Sequence, residues 1–474
     1  MIEFPFIGGS YTSRSRNLNA QQTQNLYVEV DKTGAKNVIA LVGCPGMKAW
    51  KTTGTGSEVR NMIVYDDKLT AVVGNKVYQY DSDKTESTLL TLDTSSGWAD
   101  IVDDGSYLMV FDSAGGKAYA PGSLFTGLDI GLLSSTYPAS ISSGTFQDGF
   151  LIATEADSQR FHVSDMPTDV ELANEKYSSP FSWNASGLIN GAGDDLVAAR
   201  SIQRNVWFMG VETTEVWYYN ADGTSLPFAR NPGGFIRIGC GARRSIATEM
   251  DQLMFLDDKG RFVMKDGLQL RPVSSYQIDY MISTLSTTTD AVAFMYTQEG
   301  HTFYECSFPT GDLTVCYDMS TGMWHTRASG ATNNRSKAQC SVDLQETVLV
   351  GDHTNGKIYE YDLDTYDDDG LAKVAIRAAQ AIGDNNEWVQ FSRFEVEMDT
   401  GVGNADVTEP MIMMDFSNDD DNTWSAEKWK PMGAIGEYGK RVGWNRLGAT
   451  RKSRIFRVKI SDAVKRNITK AWLS

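Results

Sequence analysis

The chain has 474 residues and a formal net charge of −18 at pH 7. Its apolar fraction of 41% and charged fraction of 22% are ordinary for a globular protein and exclude a largely disordered or fibrous chain. No run of about 18 apolar residues occurs, so the sequence predicts no transmembrane helix. The net negative charge argues against broad electrostatic binding of nucleic acid or anionic membranes. The first residues lack the basic and apolar regions of a secretory signal.

Residues 1–50 hold few repeated features, and the sequence predicts an N-terminal arm with an entry strand there. Seven copies of one pattern follow, each a strand, a short polar or glycine turn, and a second strand with an aromatic residue. They begin at Lys68, Gly105, Asp148, Arg204, Asp251, His301 and Glu346. The mean interval of about 46 residues lies within the 40–50 residues that a four-stranded propeller blade takes.

The alternative to a propeller is a set of ordinary hairpins in two sandwiches. Because the interval is regular, we expect an all-β, propeller-like array of six or seven blades over residues 51–370. The acidic turn "LDTYDDDGLAK" closes the last hairpin and marks a boundary. Residues 371–474 alternate apolar and polar side chains in several short runs, which predicts a C-terminal, β-sandwich-like domain.

No familiar catalytic or cofactor motif is present, so the sequence predicts no enzymatic activity and no cofactor. The five cysteines are scattered and odd in number, which favours reduced, buried thiols. Cys306 and Cys316 could face each other across a hairpin. The four histidines lack the spacing of a metal pair. The aspartate runs at 364–369 and 419–421 could hold Ca²⁺, but neither fits a calcium-binding loop, and solvated turns are the default interpretation.

The segment "SNDDDNTW" fits the Asp-box pattern S-x-D-x-G-x-T-W, except that Asp421 stands where glycine is usual. Such a box is a hairpin turn in which Ser417 and Asp419 bond the turn backbone and Trp424 packs beneath. Sialidases contain it, but it carries none of their chemistry. We therefore interpret it as a structural turn, and a carbohydrate-active or receptor-binding propeller remains the alternative function.

The charge inverts near the end of the chain. Residues 428–474 hold 13 basic and two acidic residues, a net charge of +11 on a body of −29. A basic strand can grip phosphate, can have a solvated face that pairs with the chain's own acids, or can dock the acidic surface of a neighbouring protein. We favour protein docking, and the predicted assembly residues are Arg441, Arg446, Arg451, Arg454 and Arg457.

The C-terminal segment "SNDDDNTWSAEKWKPMGAIGEYGKRVGWNRLGATRKSRIFRVKISDAVKRNI" resembles that of the tail hub proteins of short-tailed phages, often called packaged DNA stabilisation proteins. The beginning, "FIGGSYTSRSRNLNAQQTQNLYVEV" and "ALVGCPGMKAW", is also similar to theirs. So are "RNVWFMGVETTEVWYYN", "PFARNPGGFIRIGC", "YDMSTGMWHTRAS" and "GDHTNGKIYEYD" in the middle. These landmarks occur in the family's order from Phe6 to Ile468.

The resemblance implies a structural protein of the virion tail, made in the host cytoplasm, with no catalytic residues to carry over. Family members form a homohexameric ring, the hub or nozzle, below the portal and adaptor. The ring extends the DNA channel, helps to retain packaged DNA until ejection, and is closed by a tail needle or plug. Tail spikes or fibres attach around it. Double-stranded DNA would pass through without sequence-specific binding.

Overall fold

A computed structural model describes residues 1–12, 19–31, 33, 38–105, 107–119, 128–129, 137–138, 140–164, 183, 185–220, 226–383 and 387–474. Strands dominate this part of the chain. The first six of them are β1 (Ile2–Phe4), β2 (Tyr11–Thr12), β3 (Ala20–Gln24), β4 (Leu26–Val30), β5 (Ile39–Gly43) and β6 (Gly46–Thr52).

Seven antiparallel units of four strands each, here called blades 1–7, follow in chain order; six of them are separate sheets, and blade 6 is part of a larger sheet. Blades 1–3 are β7 (Val59–Tyr65), β8 (Lys68–Val73), β9 (Lys76–Tyr80), β10 (Glu86–Thr91); β11 (Asp100–Asp103), β12 (Leu108–Asp112), β13 (Gly115–Tyr119), β14 (Leu128–Asp129); and β15 (Ile141–Gln147), β16 (Phe150–Glu155), β17 (Arg160–Val163), β18 (Ala185–Leu188). Blades 4 and 5 are β19 (Leu196–Ile202), β20 (Asn205–Gly210), β21 (Thr214–Tyr219), β22 (Phe228–Ile236); and β23 (Ala247–Glu249), β24 (Gln252–Leu256), β25 (Phe262–Asp266), β26 (Gln269–Pro272).

Blade 6 consists of β27 (Val292–Gln298), β28 (His301–Phe308), β29 (Leu313–Asp318) and β30 (Met323–Arg327). Blade 7 takes β31 (Ala338–Leu344), β32 (Thr347–Asp352) and β33 (Lys357–Asp362) from this end of the chain, and its fourth strand is β6. A helix, α1 (Tyr276–Ser283), connects blades 5 and 6, and Ser275 caps it by accepting a hydrogen bond from the backbone N–H of Ile278.

The blades form a closed ring because each packs on the next through its own apolar core. Seven such clusters lie between neighbouring blades of the described chain. Between blades 3 and 4, Phe161 stacks on Phe208 with ring centroids 4.3 Å apart. Val59 of blade 1 packs with Cys340 and Leu349 of blade 7, so the last blade meets the first. The body is therefore a β-propeller, as the sequence predicts.

The seven repeated hairpins of the sequence are the second and third strands of the seven blades. The turn that leads into them needs residues with positive φ, the left-handed region that L-residues rarely adopt. Asp66 and Asp67 take φ of 53° and 55° between β7 and β8, and Gln345 and Glu346 take 48° and 69° between β31 and β32. These two-residue turns set the antiparallel register of the first strand.

A C-terminal β-sandwich follows the propeller. Its remaining strands are β34 (Ala375–Ala378), β35 (Val389–Gln390), β36 (Arg393–Met398), β37 (Met411–Ser417), β38 (Lys428–Pro431), β39 (Val442–Asn445), β40 (Ala449–Thr450), β41 (Ile455–Ile460) and β42 (Ile468–Leu473). One sheet has the order β39-β36-β42-β5-β4, with β1 on β42; the other has β3-β34-β41-β37-β38, with β2 on β3. Phe394, Trp444 and Phe456 fill the core between them.

Two features differ from the sequence-based expectations. The described part of residues 1–50 does not form an arm: β1–β5 belong to the sandwich sheets, and β6 completes blade 7. β3 also joins the sandwich to blade 6, where Gln24 pairs with Thr326. Cys306 and Cys316 do not face each other, because they lie in the cores on opposite faces of blade 6. All five cysteines are free and buried.

Within the described ranges, no helix is long and apolar enough to span a membrane.

Candidate functional site

The basic C-terminal stretch lies on the sandwich, and the structure separates its five predicted assembly arginines into buried and exposed groups. Arg454 is only 1% exposed. Its Nε donates to Asn418 Oδ1 at 2.7 Å and its Nη1 donates to the Leu447 carbonyl at 2.8 Å. The guanidinium lies 4.1 Å from the centroid of the Phe416 ring. Arg454 is thus a core residue and is not available to a partner.

Arg457 is half-buried and is bound within its own chain. Its Nε and Nη2 donate to the two oxygens of Asp415 at 2.9 and 2.6 Å, the bidentate geometry that favours arginine over lysine. The guanidinium also lies 3.5 Å from the ring centroid of Trp424. Lys459 adds a second cation to Asp415 at 3.2 Å. For this residue the structure supports the alternative of pairing with the chain's own acids.

The other three arginines are exposed. Arg441 is 74% exposed, although its Nε reaches Glu395 Oε1 at 2.7 Å. Arg446 occupies a left-handed turn with φ of 59°, and Arg451 follows β40. An exposed pair such as that of Arg441 contributes about 0–1 kcal/mol to stability, so exchanging it for a carboxylate of a partner would lose little. The basic surface that a partner could contact is therefore Arg441, Arg446 and Arg451.

The predicted Asp-box turn is present as a network of hydrogen bonds. Ser417 Oγ donates to Asp419 Oδ1 at 2.8 Å and accepts from the backbone N–H of Asp421 at 3.0 Å. Thr423 donates its N–H and its hydroxyl to the two oxygens of Asp419 at 2.8 and 2.6 Å. Asp421 takes φ of 72°, which explains why glycine is usual there, and it accepts from Trp424 Nε1 at 2.9 Å.

This turn gives a pH prediction. Hydrogen bonds from the side chain and backbone of Thr423, and from Ser417, lower the pKa of Asp419 from 3.8 to about 2. Because the pKa of Asp419 is lower in the folded state, its carboxylate stabilises the fold fully above about pH 4, and this stabilisation is lost as the pH falls towards 2. We expect Asp419→Asn to lower the unfolding temperature at pH 5, with the difference shrinking towards pH 2. An equal difference at both pH values would contradict this, and Asp364→Asn, at an exposed turn, is the control.

A second feature of the sandwich, which the sequence patterns did not predict, is its exposed large apolar residues. Trp429 is 54%, Ile435 75% and Tyr438 76% exposed. Trp388 is exposed as well. It lies near Arg451 in the sheet, because the next residue, Val389, pairs with Thr450. Exposed aromatic residues beside arginines are typical of the centres of protein interfaces. The signal was visible as tryptophan, isoleucine and tyrosine in the glycine-rich, charged segment "KWKPMGAIGEYGKR".

The acidic runs serve as structural turns. Asp368 is buried and pairs with Lys373 at 3.2 Å, and Asp369 pairs with Lys357. In the described residues, no group of three or more His, Cys, Asp or Glu side chains is placed to hold a metal ion.

Comparison with known protein families identifies the chain. Residues 2–366 match the model "Bacteriophage P22 Gp10, beta-propeller", and residues 376–473 match "Bacteriophage P22 Gp10, beta-sandwich". The chain belongs to the bacteriophage P22 Gp10 family. It is a structural tail protein of the podovirus tail-accessory, or stabilisation, type. The two family models thus cover both the propeller and the sandwich. Membership of this family implies that the protein is a component of the virion.

Solved structures with low sequence identity are similar to this chain. The WD40 β-propeller domain of Doa1 is 11% identical, with a TM-score of 0.41, covering 66% of this chain and 97% of that one. The Neurospora crassa Pan2 WD40 domain is 9% identical, with a TM-score of 0.41 and coverage of 67% of this chain and 94% of that one. PorZ of Porphyromonas gingivalis is 9% identical, with a TM-score of 0.38 and coverage of 73% of this chain and 45% of that one. Among curated proteins, none matches the sequence significantly.

Proposed function

We propose that the chain is a subunit of a homohexameric tail hub, or nozzle, that extends the DNA channel below the portal and adaptor and helps to retain packaged DNA. The observation that carries this proposal is the family match over both the propeller and the sandwich. In it the chain has no enzymatic role, binds no cofactor, and lets double-stranded DNA pass without reading its sequence. A tail needle or plug closes the ring, and spikes or fibres attach around it.

The joint between the two domains fits a subunit that carries mechanical force. Blade 6 continues through β3 into a sandwich sheet, so hydrogen-bonded strands cross the boundary. Buried polar contacts add to it: Lys373 Nζ donates to the carbonyl of Pro45 and to Asp368, and Arg466 Nη2 donates to the Tyr366 carbonyl at 2.7 Å. We expect a subunit built this way to transmit force as one body.

Within this proposal, the sandwich provides an assembly surface made of two parts. Trp429, Ile435 and Tyr438 supply apolar area that water leaves on contact, at about 25 cal/mol per Å². Arg441, Arg446 and Arg451 supply charge that is complementary to the acidic body of a neighbouring subunit or of the adaptor. The apolar part contributes affinity, and the basic part contributes encounter rate and register.

The test compares two matched double variants of the full chain in reconstituted tails. We expect Trp429→Ala with Tyr438→Ala to leave the urea unfolding midpoint nearly unchanged, because both side chains are exposed, and to abolish binding to the portal–adaptor complex. The control, Met250→Ala with Tyr276→Ala, removes exposed apolar side chains from the propeller instead. This control variant should bind the portal–adaptor complex at six copies per ring, counted by native mass spectrometry or electron microscopy.

The possible outcomes distinguish an error in the proposed assembly surface from an error in the proposed hub function. Normal incorporation of the sandwich variant would show that this surface is wrong while leaving the hub intact. A wild-type chain that binds no portal–adaptor complex, or that forms a ring of another stoichiometry, would contradict the hub itself. Arg446→Glu with Arg451→Glu should slow incorporation in low salt and have less effect in high salt, because salt screens exposed charges.

A further inference from the structure

A cavity of about 200 Å³ lies at the axis of the propeller. Residues from blades 1, 2, 4, 5, 6 and 7 line it, mostly from the first strands of the blades, which contact one another around the ring. Four arginines contribute to its wall although the protein is strongly acidic. The wall includes Arg60, Trp98, Asp100, Arg200, Arg243 and Arg244.

One carboxylate serves two of these arginines. Arg200 Nη2 donates to Asp100 Oδ1 at 2.8 Å, and Arg243 Nη2 donates to Asp100 Oδ2 at 2.7 Å. The backbone N–H of Gly144 also donates to Asp100 Oδ2, at 3.2 Å. Asp100 therefore neutralises one positive charge and leaves the second uncompensated.

Two donor nitrogens of Arg243 have no acceptor among the described residues. Its Nε and Nη1 are buried and have no hydrogen-bond partner among the described residues. The guanidinium is held in place by Trp98, whose ring centroid lies 3.3 Å from the guanidinium carbon. Buried guanidinium donors without acceptors are costly, because they lose water and gain nothing in return. A fixed cation with two unused donor nitrogens is prepared to bind an acceptor.

The neighbouring charges do not supply that acceptor. Arg60 donates to backbone carbonyls and to Thr94, and Arg244 Nη2 donates to the neutral Gln339 Oε1 at 3.3 Å. The carboxylate of Glu58 accepts from Gly97 N and from Gln339 Nε2. The other acid in the wall is Glu249. Burial, and then the charge of Asp343, raises its pKa to about 7, so it is partly uncharged at neutral pH.

We propose that this axial cavity binds a phosphate-type oxyanion, with Arg243 and Arg244 as its principal ligands. Oxyanions accept charge-assisted hydrogen bonds from several guanidinium groups at once, which would satisfy the unused Nε and Nη1 donors of Arg243. The cavity is several times the roughly 30 Å³ that one water molecule occupies in the liquid. It has room for phosphate or a small phosphate ester, but not for a nucleic-acid duplex.

The experiment titrates the full-length protein by calorimetry, in a buffer free of phosphate and sulfate, with inorganic phosphate and separately with a nucleoside monophosphate. We expect saturable binding of at least one of the two. Arg243→Gln should weaken it roughly tenfold or more, because it removes charge-assisted hydrogen bonds. Arg200 still pairs with Asp100 in that variant, so the fold is expected to survive. Tighter binding of the ester would identify an organic phosphate as the ligand; tighter binding of phosphate would identify the free ion.

Arg244→Gln provides an independent second variant and should also weaken binding, which keeps the test decisive if Arg243→Gln fails to fold. The control is Arg204→Gln, at an exposed arginine that pairs with Asp148; its affinity should equal that of the wild type. The ligand should also change tryptophan fluorescence in the wild type, and less so in Trp98→Phe. Absence of binding to both probes, or equal affinity in the Arg243, Arg244 and Arg204 variants, would overturn the proposal.

Discussion

Replacing Arg327 by methionine should lower the free energy of unfolding by about 3–5 kcal/mol, because it leaves a buried carboxylate without its cation. Arg327 Nη1 donates to Glu305 Oε2 at 2.7 Å, and both side chains are almost fully buried. The same guanidinium donates to the Tyr296 hydroxyl at 3.1 Å and to the Pro45 carbonyl at 3.0 Å. It thereby connects blade 6 to the chain segment that enters blade 7.

The raised pKa of Arg327 agrees with a strong ion pair between Arg327 and Glu305. Burial by itself would lower the pKa of Arg327, but the charge of Glu305, with Tyr361 and Tyr296, raises it above the ordinary value. The charged form is therefore the one that the site holds. Tyr361 also donates its hydroxyl to Glu305 Oε2 at 3.2 Å, so the carboxylate belongs to a network that spans blades 6 and 7.

Urea unfolding of three variants tests this. Arg327→Met should lose the full amount, and adding Glu305→Leu should recover much of it, because removing both charges removes the uncompensated one. The matched control is Arg204→Met, at an exposed ion pair, which should cost no more than about 1 kcal/mol. A loss in Arg327→Met as small as that of the control would show that the pair is not a stabilising centre.

The propeller could be predicted from the sequence because the second strand of every blade, and the third strand of several, is buried on both faces. β8 and β9 are examples, with runs such as "KLTAVV" and "KVYQY" that are apolar or aromatic almost throughout. Outer strands carry less signal. β22 is "FARNPGGFI", whose proline and glycines argue against a strand, yet it pairs along β21. Edge position permits it, because the outward backbone groups need no partner.

The closure of the ring could not be read from local patterns. β6 pairs with β33, about 300 residues further along the chain, and the pairing depends on the geometry of six intervening blades. The same limit applies to the basic stretch. "RIFRVKI" alternates as a half-solvated strand would, but Phe391 and Phe416 reach Arg454 from distant segments and bury it. Alternation shows which residues share a face and does not show what covers that face.

Arg377 is the second position at which a single substitution should be severe. It lies on β34, is fully buried and has no ion-pair partner among the described residues. Burial lowers its pKa to about 9. Its donors all reach the N-terminal segment: Nε to the Phe6 carbonyl at 2.6 Å, and Nη1 to the Gly9 carbonyl at 3.1 Å and to Thr23 Oγ1 at 2.8 Å. Nη2 donates to Gln21 Oε1 at 2.6 Å. One side chain thus attaches Phe6, Gly9, Gln21 and Thr23 to the sandwich.

We expect Arg377→Met to cost about 3–5 kcal/mol, because it leaves several buried acceptors unsatisfied at roughly 1–3 kcal/mol each, partly offset by no longer burying a charge. Arg377→Lys should lose part of this, since an ammonium group cannot reach four acceptors in a fork geometry. Arg271→Met, at an exposed arginine, is the control and should change little. Because the lost bonds all hold the N-terminal segment, limited proteolysis of Arg377→Met should cut first before residue 24. Cleavage elsewhere first, with an unchanged urea midpoint, would show that the segment is held by its strand pairing and not by this guanidinium.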